Sequence, residues 1–160
     1  MKSKQARKTG KKTPEKTIRN KRAGFDYTLG DSYLVGIVLN GRETKSLRLG
    51  HGQLQGAYVT VKDSELFLIN ASIHGTKGIP ITDSEVTRTR KLLAKRKEID
   101  QIITAKQQSM TIVPTEILTR GRFIKLRISL GKGKKEYDKR ETLKKRDDDR
   151  SVQRTIRSSF

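Results

Sequence analysis

From Thr111 to Leu130 the chain carries a pattern that a β-hairpin satisfies and a helix does not. Ile124, Leu126, Ile128 and Leu130 alternate with Lys125, Arg127 and Ser129, so the second arm has one apolar face and one polar face. Thr119-Arg120-Gly121-Arg122 separates this arm, Phe123 to Leu130, from an apolar first arm, Thr111 to Leu118. The same period recurs upstream. Ala57, Val59 and Val61 alternate with Tyr58 and Thr60, and Lys62 to Glu65 makes a polar turn into Leu66-Phe67-Leu68-Ile69. Phe25, Tyr27 and Leu29 alternate with polar residues, and Tyr33 to Leu39 forms an apolar run that ends in the turn dipeptide Asn40-Gly41.

Six short strands in a flat sheet would leave edges exposed, so closure is the economical solution. The expected fold is mainly β: a small six-stranded antiparallel barrel of oligonucleotide-binding type, with peripheral helices and disordered basic termini. One amphipathic helix is expected near residues 88–106, where Leu92, Leu93, Ile99, Ile102 and Ile103 recur at near-helical spacing. Glu43 to Leu49 fits either a strand or a helix.

Charge divides the chain differently. Lys and Arg number 37 against 17 Asp and Glu, a formal net charge of +20. Met1 to Arg22 carries ten basic residues and one acid, and Gly121 to Phe160 carries fourteen and six. The body between them is close to neutral. Such an excess calls for a polyanion, and RNA or DNA phosphates supply one through counterion release. The expected organisation is a disordered basic arm over 1–19, a barrel over 20–130 and a basic tail over 131–160, disordered when free. No apolar stretch is long enough to span a membrane, no helix has the aromatic amphipathic face of a membrane-surface protein, and the start of the chain lacks a secretory pattern. A cytoplasmic protein is expected. The chain has no cysteine, which excludes disulfides and thiolate chemistry.

Candidate sites follow from the same reading. Gly131-Lys132-Gly133-Lys134-Lys135 continues the last strand; three lysines offer phosphate contacts and two glycines would let backbone approach a ligand. Its spacing is not that of a Walker loop. His51 and His74 stand far apart without partner ligands, so no metal and no cofactor is expected. Ser46 beside Lys45 and Glu43 lacks a histidine base, and no residue set suits an enzyme. The tail could form a helix, with Glu141 near Lys144 and Lys145, but it has too little apolar surface to be stable alone.

Ordered strings then resemble one family. They are Asn20-Lys21-Arg22-Ala23 before Asp26-Tyr27; Gly36-Ile37-Val38-Leu39 with Gly41, Glu43 and Lys45-Ser46-Leu47-Arg48; Arg88, Arg90-Lys91-Leu92-Leu93 and Lys97-Glu98-Ile99-Asp100; Val113-Pro114; and Gly131 to Lys135 with Tyr137-Asp138-Lys139-Arg140. This set resembles the SsrA-binding proteins, also called small protein B, over about residues 20–146. The resemblance implies an RNA-binding protein, expected to be a monomer, that holds the tRNA-like domain of transfer-messenger RNA (tmRNA) and carries it to stalled ribosomes for trans-translation. It implies that Asn20, Arg22, Glu43, Lys45, Ser46, Arg48, Lys132, Lys134 and Lys135 face RNA. Asp138, Lys139 and Arg140 would begin a tail that meets the small-subunit decoding centre and becomes helical in the empty mRNA channel. For Glu43, which would repel phosphate, positioning Lys45 or Arg48 is the favoured role. Thr44, His51 and Gly56 depart from the residues usual in the family. A structural ribosomal protein with a barrel core is the alternative reading.

Overall fold

The structure, a computed structural model, describes residues 17–158. Its elements in chain order are β1 (Ile18–Arg19), α1 (Ala23–Asp26), β2 (Tyr27–Ile37), α2 (Gly41–Leu49), β3 (Gly52–Gln53), β4 (Tyr58–Lys62), β5 (Glu65–Ile69), β6 (Ser72–Ile73), α3 (Asp83–Val86), β7 (Arg90–Leu93), α4 (Arg96–Gln107), β8 (Thr111–Leu118), β9 (Lys125–Gly133) and α5 (Glu136–Ser158).

Six strands close into an antiparallel ring, β8-β4-β5-β7-β2-β9 and back to β8. Closure removes the exposed edges that six flat strands would leave. The edge of β8 is shared: Ile112 pairs with Val59 of β4, and Glu116 and Ile117 pair with β1. β3 and β6 form a separate pair. Alternating residues of the ring strands, among them Val35, Val59, Leu66, Leu68, Leu92, Leu126 and Ile128, fill the interior, and Leu47 of α2 and Ile102 of α4 join that core.

The expected strand count is right for a reason the alternation did not give. The runs 25–29 and 33–39 fall mostly on one strand, β2, because Gly30 and Asp31 form a bulge between Leu29 and Ser32 rather than a turn, while Phe25 lies in α1 and Val38 and Leu39 lie past the strand's end. The sixth ring strand is β7, which lies where the helix was expected to begin. Its burial alternates, Arg90 and Leu92 inward and Lys91 and Leu93 outward, but an arginine in an inward position hides the period from a hydropathy reading. The helix itself is α4, starting at Arg96, with the Glu98 carboxylate accepting from the Lys95 N–H at 2.9 Å. The polar turn at Lys62 to Glu65 has positive φ at Asp63 and Ser64, as a tight two-residue hairpin requires.

The ambiguous segment is helical. Asn40-Gly41 is no hairpin turn but the entry to α2, where the Asn40 N–H donates to Glu43 Oε2 at 2.8 Å, and Gly50 ends the helix at φ +91°. Part of the arm expected to be disordered, Ile18–Arg19, pairs as β1; the rest of that expectation, over 1–16, lies outside the described residues. The tail, expected to be disordered when free, is the continuous helix α5. Contacts to α1 anchor its start, and internal pairs such as Arg140 with Glu136 at 3.0 Å support it.

Glu43 is 2% exposed and Arg90 is fully buried. Arg88 reaches the carboxylate through Nε at 2.8 Å and Nη2 at 2.6 Å, and Arg90 Nε donates to it at 3.0 Å. The remaining Arg90 donors go to backbone carbonyls: Nη1 to Ala71 and Arg88, Nη2 to Glu85 and Val86. Every donor of the buried guanidinium is thereby used, which is what makes its burial tolerable. Burial pushes the Glu43 carboxyl up, but the bonds from Arg88 and Asn40 and the charge of Arg90 outweigh it and hold the group below the usual carboxylate range.

A depressed folded-state pKa contributes stability that is present at neutral pH and lost as pH falls through that lowered value. Glu43→Gln should therefore cost about 3–5 kcal/mol at pH 7, since it leaves the Arg90 charge buried and uncompensated. It should also flatten the acid limb of the stability curve below the ordinary glutamate range. Urea unfolding followed by circular dichroism across pH checks both; equal acid sensitivity in the variant and the parent chain would refute the assignment.

Candidate nucleic-acid interface

The β8–β9 ladder is the frame on which the cations are arranged. It runs from Thr111↔Gly131 at one end to Leu118↔Lys125 at the other. At the usual strand rise these ends are about 20 Å apart. Each end gathers positive charge.

At the turn end, α2 reaches the hairpin turn through Arg48. Arg42, Lys45 and Arg48 recur every three residues and are exposed, which puts one cationic stripe along the helix. Arg48 Nη2 donates to the carbonyls of Gly121 and Arg122, both at 3.1 Å, and so fixes the β8–β9 turn. Next to that turn Phe123 is 68% exposed, with the Arg122 guanidinium 5.4 Å from its ring centre. A cation beside an exposed ring is a surface on which phosphate and base can both be met.

At the other end, β9 extends past Leu130 to Gly133 and pairs with Tyr27 to Leu29. Lys132 is exposed. The Lys134 N–H donates to the Asp26 carbonyl at 2.9 Å, and its Nζ to the Gly24 carbonyl at 3.0 Å. Lys135 is exposed, with Nζ 5.9 Å from the Tyr137 ring centre. The Asp138 carboxylate accepts from the Lys135 N–H at 3.2 Å, an N-terminal cap for α5. Lys139 Nζ pairs with Asp26 at 3.2 Å, and the Arg146 guanidinium sits 5.8 Å from the Phe25 ring centre. α1 is thus the shelf on which the first half of α5 rests.

The residues singled out from sequence fall into three groups. Lys45 and Arg48 lie at the turn end; Arg22, Lys132, Lys134, Lys135, Lys139 and Arg140 lie at the tail end. Glu43, Ser46 and Asn20 face inward instead. Glu43 holds Arg88 and Arg90 rather than Lys45 or Arg48. Ser46 is fully buried, and its hydroxyl donates to the His74 carbonyl. The Asn20 amide donates to the Leu54 and Pro114 carbonyls at 3.2 and 3.0 Å while its oxygen accepts from the Arg22 N–H, a clasp between the entering chain and the ring. Ser129 is also buried, although its neighbours Lys125 and Arg127 are exposed. Gly131 serves packing and not ligand approach: a Cβ there would stand 3.2 Å from Tyr27 Cβ and 3.4 Å from Leu29 Cδ2.

Arg42, Arg122 and Phe123 were missed. The three-residue spacing of Arg42, Lys45 and Arg48 was visible, but it has meaning only once the segment is known to be a helix. Among the described residues no helix is long and apolar enough to cross a membrane.

Comparison with known proteins identifies the family. The family model described as "SmpB protein" matches residues 17–158. An "SsrA-binding protein" from Streptococcus suis is 40% identical over 141 residues, covering 88% of this chain and 91% of that protein. Another from Paraburkholderia xenovorans is 42% identical over 146 residues, with 88% and 97% covered, and one from Shouchella clausii is 41% identical over 150, with 92% and 96% covered. A solved chain described as "tmRNA-SmpB: a journey to the center of the bacterial ribosome" superposes with a TM-score of 0.63 at 33% identity, covering 75% of this chain and 85% of that one. With a closed ring, cations at both ends of one hairpin and a basic helix leaving it, the chain belongs to the SmpB family of SsrA-binding proteins.

Proposed function

We propose that this protein binds the tRNA-like domain of tmRNA and delivers it to ribosomes stalled without a stop codon. The observation that carries the reading is the disposition of charge: two cationic ends about 20 Å apart on one rigid hairpin, one of them continuing into a helix of 23 residues. A folded RNA presents phosphates on such a scale, and a rigid frame can meet two of its backbone segments at once. The names of the relatives and of the solved neighbour support RNA and the ribosome as partners.

In this reading Lys45, Arg48, Lys132 and Lys135 contact RNA directly and Arg22 lies beside them. Glu43, Ser46 and Asn20 act by positioning: the first two fix α2 and so aim its cationic stripe, and the third holds Arg22 against the ring. α5 enters the empty mRNA channel of the small subunit, at about 34 Å long for its 23 residues. Asp138 sets its start, and Lys139 fixes its angle to α1. The protein acts by holding RNA, and no catalytic step belongs to the reading.

Removing phosphate contacts should flatten the salt dependence of binding. Lys45→Ala, Lys132→Ala and Lys135→Ala should each weaken affinity for a tRNA-like tmRNA fragment and lower the slope of log K against log salt by about one. Unchanged slopes would remove those residues from the interface. A chain ending at Lys135 keeps β9 whole, whereas one ending at Leu130 would cut it. The Lys135 truncation should keep selectivity for the tRNA-like fragment over an unrelated hairpin while losing the ability to support tagging on stalled ribosomes in a reconstituted translation assay. Equal binding of both RNAs by the full chain would leave only a generic basic RNA binder.

A further inference from the structure

The chain has only two histidines, and the sequence sets them 23 residues apart, His51 and His74. The fold brings them together. β3 and β6 pair antiparallel with Gly52 opposite Ile73 and Gln53 opposite Ser72, and the pairing runs one step further, because the His74 N–H donates to the His51 carbonyl at 3.0 Å. His51 and His74 are therefore cross-strand neighbours. Residues directly opposite in an antiparallel pair project to the same face, with Cβ atoms about 5 Å apart.

That face is the outer one. The inner face carries Ile73, 2% exposed, and Gly52, where an added Cβ would run into Leu47 and stand 2.9 Å from Ile18 Cδ1. Alternation turns His51 and His74 the other way, and both are exposed. Their backbone is fixed at the exit of α2. The His51 N–H donates to the Ser46 carbonyl at 3.1 Å, and the His74 carbonyl accepts from the Ser46 hydroxyl. Two imidazoles thus stand side by side on a rigid base, facing solvent.

Neutral imidazole is a donor suited to the late first-row divalent metals, which it binds at about 2.0–2.1 Å. Two nitrogens on one ion lie about 3 Å apart, a span that rings carried on Cβ atoms about 5 Å apart can reach by turning toward each other. Nothing else in the described residues competes for such an ion: the chain has no cysteine, and no group of three or more His, Asp or Glu residues could hold a metal. A net charge of +20 also opposes diffuse attraction of cations, so binding has to come from coordination.

We propose that His51 and His74 form a two-imidazole site for a divalent metal ion of the nickel, copper and zinc group, with water in the remaining coordination positions. The ion would fasten the exit of α2 to β6, beside the bond that Ser46 already makes. The proposal is independent of the RNA-binding reading and goes beyond it.

The test titrates Ni2+ into the full chain, free of RNA and chelator, by isothermal titration calorimetry, alongside His51→Ala and His74→Ala. The parent protein should bind one Ni2+ per chain. Each variant, left with one imidazole, should bind about a hundredfold more weakly, the loss of an intramolecular second contact. Saturating Ni2+ should raise the thermal unfolding midpoint of the parent, and EDTA should return it, while the midpoints of the variants stay where they were. Far-UV circular dichroism verifies that the variants, changed only at exposed side chains, keep the fold. A parent that binds Ni2+ no better than the variants, or a single variant that keeps the parent's affinity, overturns the proposal. One Ni2+ per two chains would place the donors on different copies and overturn it as well.

Discussion

The bond network of Arg90 is the constraint on which the rest of the body depends. One buried guanidinium joins four pieces of chain that have little else in common: Glu43 in α2, the Ala71 carbonyl after β5, the end of α3 at Glu85 and Val86, and β7 itself. A leucine in its place could fill the volume but could not satisfy those carbonyls. The arrangement converts a destabilising event, burial of a charge, into a geometric specification, because the charge is tolerable only when every partner is in position. The angle of α2 on the ring follows from it. Ser46 and Leu47 complete the seating, one by its hydroxyl on the His74 carbonyl and one by entering the core.

The same network explains where the sequence was hard to read. Hairpins built from apolar alternation, β4–β5 and β8–β9, were legible because their inward residues are apolar at every second position. β7 was not, since Arg90 fills an inward position and makes Arg90-Lys91-Leu92-Leu93 look like one turn of an amphipathic helix. β2 was split for a comparable reason: Gly30-Asp31 has the composition of a turn, and nothing local reveals that pairing with β9 continues on both sides of it. A barrel of six strands was therefore expected from two errors that cancel, while the closure argument itself, that edges must be removed, was sound.

The binding residues were legible by type and less so by role. Composition and the charged runs point to lysines and arginines, and those named from sequence at Lys45, Arg48, Lys132 and Lys135 are exposed. Glu43 and Ser46 fall in the same motif because α2 repeats every three to four residues, so one short string serves two faces: Arg42, Lys45 and Arg48 outward, Glu43, Ser46 and Leu47 inward. A motif read as a line of contacts is a helix with a buried anchoring face and an exposed cationic face. Phe123 escaped because an exposed aromatic residue beside a strand looks like core until burial is known.

β9 is what couples the two ends. It runs without interruption from Lys125, beside the turn that Arg48 fixes, to Gly133, and the chain enters α5 three residues later. The direction of α5 is set by α1 through Lys134, Lys139 and Arg146, not by its own composition, in which Asp147-Asp148-Asp149 offsets much of the basic charge. α1 is tied to the clasp of Asn20, so on the proposed reading an RNA held at the tail end would bear on the element that aims the helix. On the proposed reading, RNA contacts and tail orientation share one shelf of four residues, the physical route by which binding at the ring would fix where the tail points.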